Sequence, residues 1–571
     1  MASAPYTVGE QRASAPRIVL PITSRGLEIT DRVCWIVLAA AMGVAAALIL
    51  YLNRGTVFFL DELLWLYESP GLASPGEVLK PHEGHLIATT RLVFKAVLET
   101  VGLEYAVFRV IAVAAVLLSA GLFYVLAKRR IGGLPALAPT LVLLFLGSAA
   151  QHVVIPVGFT IVFSVAAGLG SLLLLERHDR RGDIGACLLL VVSVATYTTG
   201  LAFLVGVAVL VLLGPDRRRR LWVFLVPLAL YAAWWLWSLS SDASAESEVT
   251  ASNILLIPNW VADSLASVIA ALSGLGYDFT GEMPDVIHSG WGLVLAAPAT
   301  VAFALRVRRG AVSPSLWAFV AIALTYWALG ALASGPYRSP DSIRYVYMGS
   351  MAVLLIGVAA VPPLRLSRRG LAILFAVAAL CLGGNLALLR DGGNRFRDYS
   401  AGVRSQLAVL ELARDRVDPD FDPPEASLVT APASAYFAVL DRYGSAAYSL
   451  AELQRQDEVV REAADRGLVD ELALRLEASS SRPNGGCRQL SAVQAEAPAG
   501  FELPPGGARL RVRAPGPAAL TLGRFGDLPS AELGSLSPRQ PATLRIPPDA
   551  SPTPWRAAVA GASSVEVCEL R

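Results

Sequence analysis

Charge is scarce in this sequence. Asp, Glu, Lys and Arg make up 16% of its 571 residues, against about 25% in ordinary soluble domains. Lysine is nearly missing, with only Lys80, Lys95 and Lys128. The formal charge is +2, too small to create a field that attracts polyanions, so a nucleic-acid partner is excluded. Hydrophobic residues reach 54%. That rules out a disordered chain. It also rules out one soluble core, because cores stop growing near about 250–300 residues. A membrane protein carrying some soluble mass remains.

A helix needs about 20 apolar residues to span a bilayer. Such stretches fall at 33–52, 105–127, 134–151, 157–176, 221–238, 289–305, 314–333, 345–363 and 370–389. The charge-free run 184–213 is too long for one span, and it has arginines on both flanks. It therefore reads as two short helices joined by a turn at Thr196–Gly200, which brings the total to eleven. The semi-apolar run 253–274 reads as interfacial helix. The stretches 1–32, 128–133, 177–183, 214–220, 306–313 and 364–369 then share one side and hold 20 Lys and Arg, against six on the other. The positive-inside rule makes that basic side cytoplasmic. The expectation is an N-terminal tail, 1–32, in the cytoplasm, an uncleaved first span and a C-terminus outside. The Ala-, Arg- and Gly-rich composition resembles that of proteins from GC-rich bacterial genomes, so the membrane would be a bacterial plasma membrane.

The membrane part, 33–389, has outer loops at 53–104, 239–288 and 334–344. Residues 390–480 read as mainly helical, with helical spacing over 397–414 and 451–477 and a short strand at 426–430. Residues 481–571 alternate at 508–512, 518–522, 542–546 and 564–570, between Pro and Gly, as in a small β-sandwich. The fold class is thus a polytopic α-helical membrane protein with a C-terminal α+β domain. Cys34, Cys187 and Cys381 lie in spans and read as small apolar residues. Cys487 and Cys568 flank the sandwich, and an oxidising exterior favours a disulfide between them.

The span centres carry almost no ionisable groups, unlike those of an ion-coupled transporter. The informative charges lie in the outer loops. Asp61 and Glu62 sit in the greasy run Phe58–Trp65. A carboxylate there is partly desolvated, its pKa rises, and it becomes a candidate general base. The alternative is an interfacial turn whose acids face water. His82, Glu83 and His85 follow in Lys80-Pro81-His82-Glu83-Gly84-His85. They suit a substrate or phosphate contact, a divalent metal or a structural loop. Residues 84–101 read as an amphipathic surface helix with Arg91 and Lys95 on a charged stripe, and Arg91 is also a candidate substrate or phosphate contact. Arg338, Arg344 and Tyr345 open a late span, where guanidinium groups suit a phosphate at headgroup depth or an interfacial anchor.

The acidic pair after the first span, the surface helix in that loop and the late Arg344-Tyr345 resemble the GT-C integral-membrane glycosyltransferases. That family includes protein O-mannosyltransferases, aminoarabinose transferases and arabinosyltransferases. The resemblance covers 33–389 and implies Asp61 as base with Glu62 beside it. It implies a polyprenyl-phosphate-linked sugar as donor and a glycan, glycolipid or protein as acceptor. No cofactor is implied beyond a candidate divalent metal. Two other classes stay open. A lipid-linked glycan flippase requires a polar path through the spans. A non-enzymatic scaffold requires that Asp61→Asn leave function intact.

Overall fold

The computed structural model describes residues 31–240, 251–276, 287, 289–310, 312–335, 338–361, 367–417, 432–478 and 486–570. Among these, nine helices are long and apolar enough to cross a membrane, or ten if a bent pair counts as one. The crossing helices begin with α1 (Asp31–Leu52). After α1 come two short helices of the first loop, α2 (Asp61–Glu68) and α3 (Ala88–Val101). Next are α4 (Tyr105–Ile131), the bent pair α5 (Gly133–Leu144, continued by Gly147–Val153) and α6 (Phe159–Leu175). The run read as two short helices is α7 (Arg180–Thr196) and α8 (Thr199–Leu212). The turn between them is as tight as the charge-free run required. A Cβ on Gly200 would stand 2.5 Å from the Ser193 carbonyl carbon. The series continues with α9 (Trp222–Ser238), α10 (Ile257–Ser273), α11 (Gly290–Arg308), α12 (Pro314–Leu332), α13 (Val346–Ala360) and α14 (Arg368–Leu412).

Ion pairs gather at one end of this bundle. Lys128 at the foot of α4 meets Asp31 at 3.1 Å, and Arg130 meets Glu176 beyond α6 at 2.8 Å. Arg220 bonds Asp183 in α7 at 2.6 Å and the Leu175 carbonyl at 2.8 Å. Arg306 of α11 caps the Ala360 carbonyl of α13 at 3.0 Å. Helix termini that the sequence assigns to its basic side are therefore neighbours in space.

By length and composition, Ser252–Ser273 also passes as a span. Its neighbours show another role. Trp260 packs on Tyr345 at 5.7 Å and under Gly330. Ala266 lies against Gly292, Val268 against Gly349, and Gly274 against Cys381 and Gly384. These partners belong to the same ends of α11, α12 and α13 and to the matching height of α14. So α10 packs on the bundle end opposite the ion pairs.

No break falls at residue 389. Helix α14 runs for 45 residues, about 67 Å at 1.5 Å per residue, twice an apolar core of about 30 Å. Its far half braces the first loop: Arg397 donates to the Leu52 carbonyl at 2.7 Å and Phe396 packs on Phe59 at 5.7 Å. The helix expected at 397–414 is the end of this rod. The next helices are α15 (Ala433–Tyr443) and α16 (Glu458–Glu471). The expected helix 451–477 is thus shorter. Ala473 takes φ 48°, and the Leu474 N–H returns to the Val469 carbonyl at 2.9 Å, a Schellman stop. Residues 476–478 pair as a strand instead. The expected strand 426–430 lies outside the described residues.

The sandwich has β1 (Leu476–Ala478), β2 (Cys487–Ser491), β3 (Phe501–Glu502), β4 (Gly507–Arg513), β5 (Ala518–Gly523), β6 (Ala531–Leu536), β7 (Ala542–Arg545), β8 (Arg556–Ala560) and β9 (Ser564–Glu569). The sheets are ordered β1-β7-β4-β9-β2 and β3-β8-β5-β6, all antiparallel where paired. Ala508, Leu510 and Val512 of β4 alternate inward against Leu520 and Leu522 of β5, burying the apolar face between sheets. Cys487 stands opposite Cys568 in the β2–β9 register and is bonded to it. Asp465 of α16 joins helix to sandwich by accepting from the backbone N–H groups of Phe525 and Gly526, each at 2.9 Å.

Candidate functional site

The chain leaving α1 is tied down residue by residue. Asn53 donates to the Val154 carbonyl at 2.9 Å, and its own carbonyl accepts from Arg109 at 3.0 Å. Phe58 packs edge-on against Tyr105 at 4.7 Å. Leu60 is then forced to φ 53° and ψ −138°, a region that disfavours any side chain. The strain turns two adjacent acids to different fates. Glu62 is fully buried. One of its oxygens accepts from the Val157 N–H at 2.5 Å and the other from the Tyr105 hydroxyl at 2.6 Å. Burial pushes its carboxyl up to about 8, against the pull of those two donors. Asp61 stays accessible to water yet is surrounded by protein. Desolvation raises its pKa, His82 and Arg344 oppose the rise, and Glu83 adds to it.

The segment His82–His85 is a two-residue hairpin. His82 and His85 exchange N–H to carbonyl bonds at 3.0 and 2.8 Å. Glu83 and Gly84 take φ 47° and 77°, the type I′ pattern. The two imidazoles find different partners. His82 Nε2 accepts from Trp65 Nε1 at 3.3 Å, and its Nδ1 lies 3.9 Å from Glu68. His85 Nδ1 lies 2.5 Å from Thr198 Oγ1, with its ring on Tyr197 at 4.6 Å. Burial lowers the His85 pKa to about 3, helped by Arg338 and His82, so that ring is neutral. Among the described residues the one close trio of metal-ligating types is Cys487, Glu566 and Cys568. Two of these are spent on the disulfide.

Arg91 does not lie on a solvated stripe. It is 1% exposed, forks onto Glu68 at 2.9 and 3.2 Å, and also donates to the carbonyls of Val78 and Lys80. Helix α3 turns this charge inward because a carboxylate and two loop carbonyls wait there. Burial alone would raise Glu68, but the nearby His82 and the hydrogen bonds from Arg91 hold it at about 2. Lys95 remains near the surface, 3.7 Å from Glu99.

Arg344 is exposed at the mouth of α13 and acts electrostatically on Asp61, and Arg338 on His85. Tyr345 meets Tyr326 at 6.1 Å and Trp260 on α10. Charges of Asp61, Arg338 and Arg344 all reach Tyr197, at the α7–α8 turn. The bundle thus brings Asp61, Glu83, His85, Arg338, Arg344 and Tyr345 to one end, and holds Glu62 and Arg91 behind them. Sequence reasoning missed Glu68, Trp65 and the pair Tyr197–Thr198. The only signal for the last was a polar turn inside a long apolar run. Beside the hairpin opens a groove of about 540 Å³ lined by Leu79, Leu86, Val194, Tyr231, Trp234 and Trp237.

No family model and no curated protein sequence matches the chain. Its backbone is similar to the crystal structure of ArnT from Cupriavidus metallidurans bound to undecaprenyl phosphate. The TM-score is 0.44 and the identity 14%, covering 70% of this chain and 84% of that chain.

Proposed function

We propose that this protein is a membrane glycosyltransferase that takes a sugar from a polyprenyl-phosphate donor and passes it to a hydroxyl-bearing acceptor outside the plasma membrane. The observation that carries the reading is one accessible, crowded carboxyl, Asp61, within electrostatic reach of an exposed guanidinium, Arg344, at one bundle end. The outward orientation of that end rests on the skew of Lys and Arg toward the other. Outside the cell no nucleotide sugar is at hand, so the donor must carry its own activation. A lipid-borne phosphosugar does so, with its tail in the apolar groove beside Leu86.

In this mechanism Asp61 takes the proton of the acceptor hydroxyl. The freed oxygen attacks the anomeric carbon, and the bond to the lipid phosphate breaks with its electron pair on the phosphate. Arg344 and Arg338 stabilise that leaving anion. A raised Asp61 pKa makes the carboxylate a better base. Glu62 and Arg91 act as positioning residues. One fixes the turn that aims Asp61, and the other fixes the loop that ends in His82.

Purified protein and Asp61→Asn are compared for release of polyprenyl phosphate from polyprenyl-phosphate sugars. The expected loss is about 10²–10⁴-fold, with donor still bound. Equal turnover would remove Asp61 from the chemistry, and no release by either protein would favour the scaffold.

A further inference from the structure

The hairpin His82–His85 has two unlike sides. Toward α7 and α9 lies the apolar groove, with Leu79 and Leu86 on its wall. Toward α2 lies a second cleft of about 340 Å³, lined by Leu64, Tyr67, Glu68, His82, Glu83 and Ala435. Its size falls within the range of small-molecule sites. The last of these residues comes from the C-terminal part of the chain. Helix α15 reaches back across more than 300 residues of sequence and docks on the first loop. Arg442 pairs with Glu99 at 2.6 Å and donates to the Pro70 carbonyl at 3.2 Å. The Tyr443 hydroxyl donates to Glu99 at 3.0 Å, and Tyr436 packs on Tyr67 at 6.4 Å. Without α15 the second cleft would lose a wall.

The chemistry of this cleft differs from that of the groove. It offers the Glu83 carboxylate, presented by a strained left-handed residue at the hairpin tip. Strain of that kind is retained where the surroundings need it. The cleft also offers His82, the flank of Glu68 and an aromatic wall, Tyr67. The Tyr67 hydroxyl is buried with no hydrogen-bond partner among the described residues. Carboxylates accept hydrogen bonds from sugar hydroxyls, and an aromatic face covers C–H surface. Two of the lining residues, His82 and Glu83, also act electrostatically on Asp61.

We infer that this cleft receives the acceptor, a hydroxyl-rich saccharide, and that the C-terminal part of the chain selects it by supplying α15 as the cleft's outer wall. The inference rests on the glycosyltransferase reading and deepens it. Lipid phosphate would enter on the apolar side of the hairpin, saccharide on the polar side, and Asp61 would stand where both can reach it.

The test uses the full chain, with Ala435→Trp to fill the cleft and Glu83→Gln to remove its carboxylate. Each is expressed in a deletion strain and also purified. One readout is the envelope saccharide that the deletion removes. The other is photolabelling of the purified protein by a diazirine-bearing polyprenyl phosphate. Ala435→Trp is expected to restore at least about tenfold less saccharide, a change worth about one decade of affinity, with labelling unchanged. Glu83→Gln is expected to move the same way by a smaller factor. Full restoration by both variants overturns the inference, as does a parallel fall in labelling at wild-type Tm. If Ala435→Trp lowers Tm, Glu83→Gln, which adds no bulk, decides. A wild-type protein that restores no saccharide and takes no label defeats the glycosyltransferase reading itself.

Discussion

At the residue scale, the strain at Leu60 separates the two neighbouring acids. Its φ of 53° sends Asp61 to the accessible side and Glu62 to the interior. Leu60 is 43% exposed, so little apolar burial is lost on replacing it. Leu60→Gly is expected to raise stability by about 0.5–1 kcal/mol, and β-branched Leu60→Val to lower it by about 1–2 kcal/mol. Chemical or thermal unfolding in detergent checks both signs. Glu62 makes a pH prediction. Its folded pKa, near 8, lies above the unfolded value of about 4.3. The native state therefore holds a proton that the unfolded state releases between those values. The stability this group gives is complete below about pH 4 and is lost as pH rises through about 8. Glu62→Gln keeps an oxygen for the Val157 N–H and no longer ionises. Its Tm is expected to fall less than that of the wild type between pH 5 and 8. Parallel Tm profiles would show that Glu62 is not protonated in the native state. The sequence pointed to Asp61 and Glu62 as a pair. It could not say which would be buried, because that depends on Tyr105 and Val157, 43 and 95 residues away.

At the element scale, the most informative element is α10. Its semi-apolar sequence reads as a surface helix, although its length and composition also allow a span. What decides is the set of glycines that let neighbouring backbones approach it. A Cβ on Gly292 would stand 1.8 Å from the Ala266 oxygen, and one on Gly384 2.3 Å from the Gly274 oxygen. Both obstacles are backbone, so the helices themselves must separate. Gly292→Ala is expected to cost about 1–3 kcal/mol, read as a lower Tm in detergent. Gly290→Ala, where nothing lies within 4 Å, is the control and should leave Tm nearly unchanged. The α7–α8 hairpin shows the opposite case. There the flanking arginines and the excess length of the apolar run were enough to predict two helices. Helix α3 lies between these cases. Its periodicity foretold a helix, but the same periodicity sent Arg91 to water. The structure buries it, because Glu68 and the Val78 and Lys80 carbonyls offer more than solvent does.

At the scale of the whole molecule, two joints hold the soluble mass to the membrane part. One is the unbroken α14, and the other is the docking of α15 on the first loop. The disulfide closes the sandwich between strands 81 residues apart in sequence. Removing it with Cys487→Ser is expected to lower the stability of that domain by about 2–4 kcal/mol. A separate, earlier unfolding transition in calorimetry would report this, with the helical bundle unaffected. Composition and hydropathy by themselves determined that this chain is a bundle of apolar helices with a β-rich tail. They also determined which helix ends carry the basic residues and left Cys487 and Cys568 as the two cysteines outside the apolar runs. Each follows from local spacing or from charge near an apolar run, and the cost of putting charge in hydrocarbon leaves few alternatives. The tertiary structure decided which acid faces the recess, where Arg91 points, how α10 lies and that α15 completes a second cleft. Those outcomes depend on contacts between residues far apart in the chain, and no local pattern encodes such contacts.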